Sequence, residues 1–259
     1  MRKRELSFLH DITDEDRILL NKFLDWSEMA QEKYVRKFSF FLDERQQVLC
    51  TKVMASVKFE DYQLWGGREG AERKVLCVYP EYGRPEREDI PIKAVTFTYR
   101  REDRLSHRDI LGSLMGLKID RSCVGDILVG EGKSCIFVVD TVLADVLSVT
   151  RVGRTGVKSS EGFDPDLAVT ESFKEITGTV ASLRFDSILS LGLRISREKA
   201  AALIKSGSAE VGHMKADQPK RLLQEGDVFS VRGYGKFIFR SVNGKTGKDR
   251  IHITISKYI

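Results

Sequence analysis

The sequence predicts an α+β protein of three successive parts: a small amino-terminal α/β domain (1–82), a strand-and-helix sandwich (83–175) and a basic carboxyl-terminal domain (176–259). Three observations carry this expectation. A chain of 259 residues is long enough to bury more than one core. Its middle reads strand, helix, hairpin, helix, strand. Its last part has a charge of its own: residues 176–259 hold 15 Lys/Arg against 7 Asp/Glu, a net +8, whereas the remainder is −3. Such asymmetry points the basic end at an anionic partner.

In the first part, Thr13 or Asp14 can cap a helix to about Met29, with Ile18, Leu19, Phe23 and Trp26 as its apolar face. A second helix is expected over 46–57, carrying Val48, Leu49, Val53 and Met54. Two β-prone runs, 62–65 and 75–79, flank Gly66-Gly67-Arg68-Glu69-Gly70. That loop lacks the Gly-Lys-Ser/Thr ending of a phosphate cradle and no helix signal follows it closely, so it reads as a β-turn.

The middle part opens with a strand over 92–99. Ser106 caps a helix through Met115 that ends at Gly116. Runs 127–129 and 135–139 flank Gly130-Glu131-Gly132-Lys133 as a hairpin, and Asp140 starts a helix ending near Leu147. This order predicts a ferredoxin-like, or RRM-like, α/β sandwich. No aromatic stacking signature of an RRM is present, so the shape alone does not imply RNA binding. The segment YRREDRLSHRD places Arg100, Arg101, Arg104, His107 and Arg108 near the strand-to-helix turn. It reads either as an auxiliary RNA surface or as a solvated loop, with Arg100 and Arg108 as its candidate contacts.

The last part begins with two short helices joined by a tight turn, over 184–207. Phe185, Ile188 and Leu189 recur at helical spacing, as do Ala200, Leu203 and Ile204. Gly192 is expected to end the first helix, Ser196 to cap the second and Gly207 to end it. Arg184, Arg194, Arg197, Lys199 and Lys205 fall largely between the apolar positions, a pattern suited to a phosphate backbone. Arg197 opens the second helix, where free N–H groups and the helix dipole favour an anion. Arg184 is expected on the same edge, with Asp186 orienting a nearby arginine. Strands follow over 228–231, 237–242 and 251–255; Asn243-Gly244 is a hairpin signal whose loop, NGKTGKD, is longer than the two-residue type, with Lys245 and Lys248 at its tip as backbone contacts or a soluble loop. Tyr234 and Phe237 flank Gly235-Lys236 and offer either a stacking face beside Lys236 or core packing.

The run RFDSILSLGLRISREKAAALIKSGSAEV, followed by EGDVFSVRGYGKF, resembles the S-four RNA-binding domain, the αL motif. Arg184-Phe185-Asp186, Ser196-Arg197, Ala200, Ile204-Lys205-Ser206-Gly207 and Gly226-Asp227 match its pattern in order and spacing. The departure is Val211-Gly212-His213, where the family often has Asn-Gly in the strand turn. With WGGREGAERKVLCVYP and LSHRDILGSLMGLKIDRSCVGDILV upstream, the whole chain resembles the YlmH family of bacterial RNA-binding proteins. The resemblance implies a small amino-terminal domain, an RRM-like middle domain and an S-four domain. It also implies binding to rRNA and tRNA on the large ribosomal subunit with a stalled peptidyl-tRNA, in ribosome-associated quality control, and a link to cell division. The candidate RNA-binding residues of the last part are Arg184, Asp186, Arg194, Ser196, Arg197, Lys199, Lys205 and Lys236.

Composition limits the other classes. Hydrophobic content of 41% and charged content of 31% suit a soluble globular protein, and no run of 18 apolar residues exists. Four cysteines stand singly without a CxxC and the four histidines are scattered, so a reducing cytoplasm without a zinc site is expected. No cofactor and no small-molecule substrate are expected. The alternative is an RNA-modifying enzyme of pseudouridine synthase or methyltransferase type that uses the S-four domain for docking. Residues 1–175 show no synthetase nucleotide signature, methyl-donor loop or nucleophile–base pair, and Asp109 reads as helix-surface charge. A non-catalytic binding protein, monomeric for want of any coiled-coil pattern, is the expectation.

Overall fold

The computed structural model describes residues 6, 8, 9, 12–165, 167, 173–247 and 249–258. The chain divides into two compact units, 1–169 and 170–259. Both are mixed α and β, with six α-helices among the described residues.

The first unit opens with α1 (Asp14–Lys33). The Thr13 hydroxyl accepts from the Asp16 amide at 3.1 Å, and the Asp16 carboxylate accepts from the Thr13 amide at 2.7 Å, a reciprocal cap. The helix runs past the expected Met29 because nothing breaks it before Tyr34, which takes the left-handed cap. Its buried face is Leu20, Phe23, Leu24 and Ala30, so Ile18 points to solvent instead of the core. β1 (Lys37–Leu42) was not anticipated from the sequence. Its alternation is broken by a register shift between Phe38 and Phe41, which leaves Phe40 exposed in a run of three apolar residues. α2 (Glu44–Ser56) starts at Asp43, which accepts from the Gln46 amide. β2 (Tyr62–Trp65) and β3 (Lys74–Val78) complete an antiparallel sheet in the order β1-β3-β2. The glycine-rich segment between β2 and β3 is a turn, with Gly67 at φ +91° and Gly70 at +69°.

β4 (Ile92–Thr98), α3 (His107–Gly116), β5 (Val124–Val129) and β6 (Lys133–Val139) follow. Ser106 caps α3 as expected, its hydroxyl accepting from the Asp109 amide. A 3₁₀ turn at Asp140–Val142 leads into α4 (Leu143–Leu147), then β7 (Arg151–Val152), β8 (Thr155–Gly156) and β9 (Lys158–Glu161). The second sheet is antiparallel in the order β5-β6-β4-β9. One apolar core joins this sheet to Ile110, Leu114 and Val146 of the helices, and it also takes in Phe41 and Val75 from the first sheet.

The second unit contains β10 (Phe173–Val180), α5 (Phe185–Leu193), α6 (Arg197–Lys205), β11 (Ala209–Val211), β12 (Met214–Lys215), β13 (Val228–Val231), β14 (Gly235–Lys245) and β15 (Ile251–Tyr258). Six strands form one antiparallel sheet, β10-β15-β14-β13-β11-β12. β10 crosses position 175/176 and pairs with β15 along its whole length. Phe185, Ile188, Leu189, Ala200 and Ile204 of the helix pair pack with Phe229, Phe237, Phe239, Ile253 and Ile255 of the sheet. The β11–β12 turn has Gly212 at φ +58° and His213 at +62°, the backbone of a tight two-residue hairpin. The expected hairpin joins β14 to β15, but its reversal lies beyond Asn243-Gly244. Both residues lie within β14 beside a bulge, and the chain turns back after Lys245, where the Thr246 amide donates to the Arg250 carbonyl.

All four cysteines are buried. Desolvation pushes the Cys50 and Cys77 thiols up to about 12 and that of Cys135 to about 11. Thiol-disulfide reagents at about pH 8 are therefore expected to react with the native chain only as it opens, and with all four thiols once it is unfolded. Prompt labelling of folded protein would contradict this burial. Among the described residues no helix is long and apolar enough to cross a membrane, and no cluster of His, Cys, Asp and Glu is arranged to hold a metal.

Candidate nucleic-acid interface

The candidate surface is built where the chain enters α5. Arg184 is the extended residue before the helix and bridges to Leu222. The Phe185 amide donates to Arg221 at 2.8 Å and the Asp186 amide to Pro219 at 3.0 Å, while the Leu223 amide donates to Leu183. The segment 217–223 thus satisfies donors that the first turn of a helix otherwise leaves free. An anion drawn to a helix start has its opening at α6.

α5 does not stop at Gly192, which is buried inside the helix opposite Ile255 and Phe237. Arg194 makes the stop in the left-handed region, at φ +55°. The Ile195 amide donates to Ser190, whose hydroxyl returns a 2.6 Å hydrogen bond to the Ile195 carbonyl. These bonds hold a non-glycine residue in a conformation that glycine usually takes. Ser196 caps α6, accepting from the Lys199 amide at 3.2 Å, and Gly207 follows the helix at φ +71°.

Asp186 organises the arginines. Its carboxylate is 5% exposed and accepts from Arg184 through Nε (3.2 Å) and Nη2 (2.7 Å), and from Arg197 Nη2 at 3.1 Å. Burial alone raises the pKa of this carboxyl; the hydrogen bonds from Arg184 and Arg197 outweigh it and hold the group below the usual carboxylate range. Arg184 keeps 28% and Arg197 47% of its side chain exposed. Two guanidinium groups are therefore fixed by one acid, with net charge +1 and N–H donors left over. Arg184 and Asp186 also line a cleft of about 390 Å³ with Ala201, Lys205, Asp217, Gln218, Pro219 and Lys220.

The structure brings Arg184, Asp186, Arg197 and Lys205 together, with Arg194, Ser196 and Lys199 exposed at the inter-helix turn and the first turn of α6. Lys220 and Asp217 escaped the sequence reading. The Lys220-Arg221 pair was the available signal, but only the folded loop carries it back to α5. Lys236 does not join this group. It alternates with buried Phe237, so it lies on the sheet face away from α5, with its ammonium 5.1 Å from the Tyr258 ring. Phe237 is core, stacked on Phe229 at 5.2 Å, so it offers no face to a base, whereas Tyr234 is exposed. Lys245 reaches Asp249 at 3.2 Å, and Lys248 lies outside the described residues. In the first unit Arg100 is exposed and donates to Asp103 at 3.4 Å, and Arg108 is exposed in the first turn of α3.

Comparisons with known proteins agree with this architecture. A family model described as "Putative RNA-binding domain in YlmH" matches residues 85–162. The chain is 32% identical over 248 residues to the "Ribosome-associated protein quality control protein P2" of Bacillus subtilis (strain 168), covering 94% of this chain and 95% of that protein. A solved structure, "Cell division protein ylmH from Streptococcus pneumoniae", is 25% identical with a TM-score of 0.50 and covers 60% of this chain and 95% of its own. A likeness running from end to end, through both units, means that this chain belongs to the YlmH family.

Proposed function

We propose that the chain is a non-catalytic RNA-binding protein of the cytoplasm that holds rRNA and tRNA on the large ribosomal subunit. The observation that carries this reading is the Arg184–Asp186–Arg197 trio beside the Lys205–Lys220 cleft. Phosphate oxygens accept two parallel N–H bonds from a guanidinium, and a fork already fixed loses less freedom when it binds them. The α5–α6 pair on an antiparallel sheet supports an S-four-type domain in the second unit. In the first unit the order β5-β6-β4-β9 with α3 and α4 supports an RRM-like, ferredoxin-like middle domain. The relative's name supports a place in ribosome-associated quality control, where a stalled peptidyl-tRNA is the tRNA of this proposal, and the solved neighbour's name supports a link to cell division. The protein acts as a monomer and needs no cofactor.

Co-sedimentation with separated ribosomal subunits at two salt concentrations tests the proposal. Wild type is expected on the large subunit, with binding that falls by orders of magnitude between about 50 and 200 mM salt. Arg197→Ala, the more exposed of the two arginines, is expected to weaken binding by about 1–3 kcal/mol while leaving the circular dichroism unchanged. Equal binding by the variant, or a flat salt response, would remove the arginine trio from the interface.

A further inference from the structure

We infer that the first unit carries a second nucleic-acid surface that grips the phosphates of an RNA helix through Arg101, Arg104, Arg108, Arg151, Arg154 and Lys158, at one end of its four-stranded sheet. The choice of RNA among polyanions rests on the function proposed above; the surface itself rests on two observations in this unit.

The first is that the sheet is closed on both faces. β6 is buried from Ser134 to Val139. On one face Val95, Phe97, Ile136 and Val138 share the core with Ile110, Leu114 and Val146 of the helices. The other face carries Cys135 and Phe137 and is covered by the β2–β3 turn and by Phe163. A Cβ on Gly67 would lie 2.4 Å from the Phe137 ring, and the Phe163 ring sits 5.4 Å from it. Asp126 in β5 accepts from Arg68 and from the Glu72 and Arg73 amides, and Asp164 pairs with Lys133, which pins both covers. The strand rings Phe97 and Phe137 are buried, and Phe163, though partly exposed, is packed on Phe137, so the strands present no row of open rings of the kind by which an open sheet reads single-stranded RNA.

The second is that the charge collects at the end where β4 finishes and β9 begins. Lys158 pairs with Thr98, the last residue of β4. Arg101 follows β4 and lies against Gly132 of the β5–β6 turn. Arg104 and Arg108 continue through the loop into the first turn of α3; β7 packs on α3, and its hairpin with β8 holds Arg151 and Arg154. All six are exposed, and none forms an ion pair with a described residue. The acids nearby are mostly engaged, Asp103 with Arg100, Asp109 with the Ser106 cap and Glu161 with Lys93, which leaves exposed Glu102 and Glu131. Arginines spread over three loops, with no base-stacking platform, fit backbone phosphates of an A-form helix.

Fluorescence anisotropy of the full chain with a labelled RNA duplex of about 20 base pairs and a uridine strand of about equal length, across a salt series, tests this. The variant Arg104→Glu/Arg108→Glu/Arg151→Glu is expected to lose roughly tenfold or more in duplex affinity, with the salt slope reduced by about 3. The Arg→Lys version at the same positions keeps the charge and is expected to stay within about twofold of wild type. An unchanged duplex affinity and slope in the charge-reversed variant would overturn the surface, as would tighter wild-type binding to the uridine strand than to the duplex. Parallel measurement of Arg197→Ala separates the two sites. A loss confined to the charge-reversed variant supports this surface and counts against the carboxyl-terminal one, and a loss confined to Arg197→Ala does the reverse.

Discussion

Replacing Asp186 by alanine is expected to destabilise the second unit by about 3 kcal/mol, the low end of what removing one partner from a buried ion pair costs. The low end applies because Arg197, and to a lesser extent Arg184, can turn to water once the carboxylate is gone. Native-state hydrogen exchange of the α5 and α6 amides measures the loss, and protection equal to wild type would show that the trio does not hold the helix pair. The same group sets a pH dependence. Its folded pKa lies below the usual value of 3.8, so its contribution is fully present above about pH 3.8 and is lost as pH falls through the lower folded value. Between about pH 5 and pH 3 wild type should therefore lose more stability than Asp186→Asn, which has no carboxyl to titrate. Parallel losses would place the depressed group elsewhere. Affinity for RNA should fall in Asp186→Ala too, because the two forks lose their common anchor while keeping their charge.

Gly67→Ala is expected to destabilise the first unit by about 3 kcal/mol or more. Two costs add. The residue sits at φ +91°, a conformation that costs an alanine about 1–2 kcal/mol. Its new methyl would also meet the fully buried Phe137 ring at 2.4 and 2.8 Å, an overpacking worth about 1–3 kcal/mol. Both tryptophans of the chain, Trp26 and Trp65, belong to this unit, so their fluorescence in urea reports its unfolding. Gly70→Ala is the control: φ is +69°, but the nearest atom to its new Cβ is the Arg68 guanidinium at 3.7 Å. Only the backbone cost of about 1 kcal/mol is expected there. Equal losses at the two glycines would mean that the turn does not press on the sheet.

Local signals located most elements. The reciprocal caps at Thr13 and Ser106, the Ser196 cap and the Gly207 stop are short-range chemistry, in which a side-chain oxygen three residues from an amide is enough to start a helix. Signals failed where a distant partner outvoted the local pattern. Gly192 carries the residue type of a helix end, yet α5 continues because its buried face fits Ile255 and Phe237, and the stop falls on Arg194. Asn243-Gly244 carries a turn signature, yet β15 pairs with β14 beyond it through a bulge. β1 and β10 were missed because a bulge interrupts the alternation of one and the other buries only the last of its eight residues, so that only their partners β3 and β15 make them strands.

By itself the sequence determined the two basic segments, the helix pair with its arginines and the family, because charge, caps and motif spacing are properties of neighbours along the chain. Tertiary structure alone decided what those residues do together. Asp186 binds arginines 2 and 11 positions away, Lys220 reaches the cleft through a loop that closes on α5, and the β2–β3 turn covers a sheet that its strand pattern alone would leave open. A carboxylate selects its partners by distance in space, and burial is set by whatever packs on top; neither quantity is written into the spacing of residues along the chain.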